Sequence, residues 1–154
     1  MKMKLTVLVF FTSMLLTGQV LAFDVDGLSY SVINANNVQV TGRASGNTAT
    51  DIVIPDTVVD SGTTYSVTTI GVGAFSNNAL TSMIIPDSVT TIGPRAFYNN
   101  ALTSAAFKGD FLSFSLTMFG LNFNLATITY CDVKTGWPQG FNNGSTIVVT
   151  TPIV

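Results

Sequence analysis

The chain is 154 residues long and carries a formal charge of −2, from six Lys and Arg against eight acidic residues that are all Asp. It contains no histidine, which removes the usual general base, the usual zinc ligand and both the Ser-His-Asp and Cys-His arrangements. Only Arg43, Arg95, Lys108 and Lys134 follow residue 22, too few and too scattered to neutralise a phosphate backbone, so neither nucleic acid nor anionic lipid is expected as a partner.

Residues 1–22 have the form of a cleaved signal peptide: Lys2 and Lys4 make a basic start, Leu5 to Leu16 run apolar, and Val20-Leu21-Ala22 puts small residues around a cut. The apolar run is shorter than the roughly 20 residues a spanning helix requires, so the expectation is an exported chain, periplasmic, extracellular or on the cell surface, with no membrane insertion after cleavage. From Phe23 to Val40 apolar residues alternate around Asp26-Gly27 and Asn34 to Asn37, which predicts an N-terminal cap of antiparallel β-hairpins over residues 23–48. Asp24-Val25-Asp26-Gly27 lacks the remaining ligands of a calcium loop and reads as a hairpin turn. Residues 41–50 read as a polar loop.

Residues 66–82, SVTTIGVGAFSNNALTS, return at 88–104 as SVTTIGPRAFYNNALTS, 22 positions on, with 14 of 17 identical. A period in the twenties belongs to coils that stack because none can bury its apolar face alone. Four coils are predicted over residues 49–130, with strands near 49–54, 80–85, 102–107 and 125–130. Their inward positions are Ile52 and Ile54; Leu80, Met83 and Ile85; Leu102, Ala105 and Phe107; and Leu125, Ile128 and Tyr130. Val67, Ile70, Ala74 and Phe75, then Val89, Ile92, Ala96 and Phe97, then Met118 and Phe119 continue the interior, with the three phenylalanines as its spine. Asn78 and Asn100 are expected to satisfy turn backbone. The first coil is nine residues longer than the second between its Ile-Pro-Asp and Ile-Gly motifs, and Val58-Val59, Asp60-Ser61-Gly62 and Tyr65 to Val67 predict a protruding hairpin there. Residues 131–154 read as a closing cap, with Trp137 and Phe141 over the last coil. Cys131 is the only cysteine, so no internal disulfide can form, and Asn143-Gly144-Ser145 reads as a turn or a sequon.

The pattern L-T-S-x-x-I-P-D-S-V-T-T-I-G-x-x-A-F-x-x-N, whole at residues 80–100, resembles the BspA-like group of bacterial leucine-rich repeats. The resemblance covers roughly Ile52 to Tyr130, with a degenerate third coil between Phe107 and Leu125. It implies a β-rich, right-handed leucine-rich-repeat solenoid with short strands, little helix and a concave parallel sheet, and it implies surface-exposed proteins of adhesion and protein binding without a catalytic centre.

The expected function is therefore an exported, non-catalytic module that recognises a protein or peptide on the concave sheet, with no cofactor and no metal. Strand alternation names the outward residues as Asp51, Val53, Ser82, Ile84, Ser104, Ala106, Thr127 and Thr129. The alternatives are a self-assembling surface protein and a carbohydrate-binding adhesin using Trp137, Tyr65 and Phe141. Asp56 and Asp87 follow proline at equivalent repeat positions and read as turn residues rather than an acid–base pair.

Overall fold

Two sheets face each other across one apolar core. The computed structural model describes residues 21–109, 116–130 and 148–149. Residues 1–20 of the signal peptide reading, Cys131, Trp137, Phe141, the sequon and most of the closing cap lie outside the described residues, while Ala22, the last residue of that reading, opens the first strand opposite Ser31. The cap sheet holds β1 (Ala22–Val25), β2 (Leu28–Val32), β3 (Asn37–Arg43), β5 (Thr57–Asp60), β6 (Thr63–Ile70) and the short β8 (Thr91–Ile92). The parallel sheet holds β4 (Asp51–Val53), β7 (Ser82–Ile85), β9 (Ser104–Phe107), β10 (Thr127–Tyr130) and β11 (Val148–Val149). The one helical element among the described residues is a single 3-10 turn, Leu116–Phe119.

The cap forms because two-residue loops with left-handed backbone close its hairpins. Asp26 and Gly27 join β1 to β2 with φ of 49° and 78°, and Ser61 and Gly62 join β5 to β6 with φ of 49° and 82°. Such turns match the right-handed twist of the strands they connect. Strand order β1-β2-β3-β6-β5 would separate the outer strands by four spacings, roughly 19 Å, if the sheet were flat. Instead β1 lies against β5, and the Phe23 ring sits 5.5 Å from Tyr30 and 5.9 Å from Tyr65. The sheet therefore curls until its two edges meet, around Leu28, Tyr30, Val38, Val40, Val58, Tyr65 and Val67, all buried.

Two sequence expectations are corrected here. The hairpin at 57–67 forms but does not protrude: Val58 and Tyr65 are buried, so its inner face is core. Its length serves to close the cap sheet. The polar loop begins later than expected, because β3 continues through Thr41 and Gly42 to Arg43. The reason is its antiparallel pairing with β2, which puts Gly42 opposite Ser29 and Arg43 opposite Leu28; on its other side β3 pairs in parallel with β6 as far as Val40 opposite Ile70, and β8 continues that order with Ile92 opposite Ile70. The N–H groups of Gly71 and Gly93 then bond back to Val40 and Ile70, each at 2.8 Å. A Cβ on Gly93 would lie 2.6 Å from the Val72 nitrogen, so the Ile-Gly pair of the repeat records close backbone approach.

From there the coils stack as the 22-residue period predicts. Phe75 and Phe97 lie 5.6 Å apart with rings 2° from parallel, and Phe97 and Phe119 lie 5.7 Å apart; all three are at most 1% exposed. Direct backbone bonds join the turns above and below them, Phe75 N–H to Ala96 C=O at 2.7 Å and Phe97 N–H to Met118 C=O at 3.0 Å. Every inward residue expected from strand spacing whose side chain is described is buried, Ile52 through Ile128; the side chain of Tyr130 lies outside the described residues.

The amide ladder runs deeper than expected. The Asn100 carboxamide accepts from the N–H groups of Asn78 (3.0 Å) and Leu80 (2.9 Å) and donates to the carbonyls of Phe75 (2.7 Å) and Phe97 (3.0 Å). Asn122 repeats this one coil on, donating to Phe97 and Phe119 and accepting from Leu102. At the other end Asn78 has no equivalent coil before it, and Arg43 takes that place, its Nε donating to Asn78 Oδ1 at 2.6 Å and its Nη2 to Asn78 C=O at 2.9 Å.

On the outside of the same turns, Asn77, Asn99 and Leu121 all have left-handed backbone, with φ of 58°, 53° and 60°. Asn99 donates to Asn77 Oδ1 at 2.6 Å. Asparagine tolerates this conformation and leucine does not, the cost being about 1 kcal/mol. Leu121→Asn is accordingly expected to raise the unfolding free energy by about 1 kcal/mol, read as a higher denaturant midpoint at unchanged slope.

Candidate functional site

Because the side chains of a strand alternate, burying Ile52, Met83, Ala105 and Ile128 turns their neighbours outward. The parallel pairing then aligns those neighbours across strands. Asp51 stands opposite Ser82, Ser82 opposite Ser104 and Ser104 opposite Thr127. In the second row Val53 stands opposite Ile84, Ile84 opposite Ala106 and Ala106 opposite Thr129. The structure thus brings all eight residues expected from the sequence onto one face, as two in-register rows about 14 Å long across four strands. β11 adds a fifth strand beyond β10, Val148 opposite Thr127.

The rows differ in chemistry. The first is a line of hydroxyls ending in a carboxylate; the second is apolar at its β4 end, where Val53 is 63% exposed, and becomes polar at Thr129. Asp51 is the single charged side chain in the two rows. Its Oδ1 accepts from the Ser82 hydroxyl at 2.7 Å and the Thr81 hydroxyl at 2.9 Å. Those bonds, Ser82 first and Thr81 second, hold its carboxyl below the usual carboxylate range. What they contribute is present above the unfolded carboxylate pKa and is lost as pH falls through the lowered folded value.

Sequence reasoning missed two participants. Thr81 reads as part of the strand entry, yet it is the second donor to Asp51, and Thr103 continues its row by donating to the Thr81 carbonyl at 3.2 Å. Lys108 follows β9 with its N–H on the Ile85 carbonyl at 3.0 Å, and exposure alternates through Ser104, Ala106 and Lys108, which puts Lys108 on the same face. The signal for both was available, since each continues a period of two or of 22.

Tyr65, one of the three aromatics expected for carbohydrate stacking, is buried beside Phe23 and cannot present its ring to a sugar. Tyr30, also buried, has its hydroxyl pushed up to about 12, by desolvation first and the Asp26 charge second. Among the described residues no group of three His, Cys, Asp or Glu side chains could hold a metal ion.

Coils stacked on a phenylalanine spine, a parallel sheet on one side and asparagine-laddered turns define a β-rich solenoid of the leucine-rich-repeat class. Residues 46–147 match the BspA type leucine rich repeat region in six copies, and the chain belongs to that family. A leucine rich cell surface protein from Faecalibacterium prausnitzii shares 27% identity over 83% of this chain and 30% of its own, with a TM-score of 0.52. A leucine-rich repeat protein from Bacteroides capillosus shares 23% identity over 84% of this chain and 99% of its own, at 0.62. One from Bacteroides ovatus shares 22% over 70% of this chain and 31% of its own, at 0.57. No curated protein matches this chain.

Proposed function

We propose that the protein is an exported, non-catalytic binding module that recognises a protein or peptide on the outward face of the parallel sheet, in an adhesion-type role. The observation that carries this is the pair of aligned rows: a shallow, weakly charged face, apolar at Val53 and Ile84 and lined by short hydroxyls, suits broad contact better than capture of a small molecule in a cavity. Export is supported by the basic start and apolar run of residues 1–22 and by likeness to a cell surface protein. No helix among the described residues is long and apolar enough to cross a membrane.

Replacing Ile84 and Ala106 together by arginine puts two long charged side chains in the middle of the second row without entering the core. A partner isolated with the wild-type protein from its native surroundings is expected to bind the variant at least tenfold more weakly in titration, with the circular dichroism spectrum unchanged. Equal affinity in the folded variant would place recognition elsewhere.

A further inference from the structure

The two oxygens of Asp51 are used differently. Oδ1 accepts both hydroxyl bonds, from Ser82 and Thr81, which fixes the carboxylate against β7. Oδ2 has no hydrogen bond among the described residues, and the side chain is exposed beside Val53, the most exposed member of the apolar row. A rotating surface carboxylate loses side-chain entropy on pairing with a cation; one already held by two donors loses less. Arg43, at the entry to the sheet, is committed to the Ala49 carbonyl and to Asn78, and Lys108 lies two strands across and four residues along, about 16 Å from Asp51, too far to pair with it. The face therefore has a negative corner on β4, a positive corner after β9 and apolar side chains between them.

Resting on the reading that this face is the recognition surface, we propose that its ligand is an extended peptide segment whose basic side chain reaches Oδ2 of Asp51 while its apolar residues lie over Val53 and Ile84. Lys108 sets the direction, because a peptide laid the other way brings like charges together. The eight Asp against four Lys and Arg that follow residue 22 favour the same sign of partner at longer range.

The probes are three capped synthetic heptapeptide pools of alternating valine, isoleucine and serine, identical except for a terminal Lys, Gln or Glu. Binding is measured by fluorescence anisotropy against the wild-type protein, Asp51→Asn and Ile84→Arg at 20 mM and 500 mM salt. Asn keeps the Oδ1 acceptor, so Asp51→Asn is expected to fold. The wild type is expected to prefer the Lys pool over the Gln pool by about three- to fivefold at low salt and to lose most of that preference at high salt. Asp51→Asn should bind Lys and Gln pools equally, and Ile84→Arg should bind none. If the Lys preference is absent, or survives in Asp51→Asn, while Ile84→Arg abolishes binding, the basic-peptide proposal is wrong and the face still binds. If no pool binds the wild type, or Ile84→Arg binds as well as the wild type, both the proposal and the reading beneath it fail.

Discussion

Phe97→Ala is expected to lower the unfolding free energy by about 3–5 kcal/mol, measured by denaturant titration. Phe97 is the middle of the stack, in ring contact with Phe75 on one side and Phe119 on the other, and it is fully buried. Its neighbours cannot collapse into the space, because the backbone bonds from Phe75 to Ala96 and from Phe97 to Met118 hold the coils at fixed separation. The cavity cost is therefore added to the lost burial rather than relieved by relaxation. Val53→Ala, which removes an apolar side chain from the exposed face, is the control and should change stability by less than about 0.5 kcal/mol. A Phe97→Ala loss no larger than that of Val53→Ala would show that the phenylalanines do not form a shared interior.

Asn100→Ala is expected to cost about 3 kcal/mol, a large effect for an amide that is only partly buried. The single carboxamide serves four backbone groups of two successive coils. Alanine leaves the Asn78 and Leu80 N–H groups and the Phe75 carbonyl without it, in a turn too tight to re-form other bonds. Asn100→Asp separates donor from acceptor roles. It keeps both accepted bonds, removes both donated ones and sets a negative charge against two carbonyl oxygens, which raises the carboxyl pKa in the folded state. By linkage the charge penalty is full above the raised folded pKa, shrinks as pH falls from there toward the unfolded value of about 4, and is gone below it, where the carboxyl is protonated in both states. Unfolding at pH 7 and pH 3 measures the difference. A deficit in Asn100→Asp that does not shrink at the lower pH would show that the amide hydrogens are not what the turn uses.

What the sequence disclosed and what it hid divide along a physical line. Inward residues, the phenylalanine spine and the eight outward residues follow from two periods, two along the strand and 22 between coils, and both survive translation into coordinates because side-chain direction is set locally. Arg43 was hidden because its partner is 35 residues away and exists only once Asn78 is seen to lack a preceding coil. The hairpin at 57–67 reads locally as an outgrowth, and only the curling of the cap sheet onto β1 turns Val58 and Tyr65 inward. Asn122 escaped the turn pattern because the repeat is disturbed there: Phe123 and Asn124 stand between it and Leu125, where a single alanine separates Asn100 from Leu102. That extra residue is taken up outside the core, with Phe123 79% exposed while Asn122 and Leu125 stay buried.

A cap sheet that curls until its first and last strands touch turns those two edges toward each other instead of toward another chain. Each added 22-residue unit would lengthen the two outward rows by one residue apiece, leave Arg43 and the curled sheet untouched, and widen the contact surface in steps of about 5 Å. Reach, in such a molecule, can be tuned by copy number without redesigning either the start or the contacts already made.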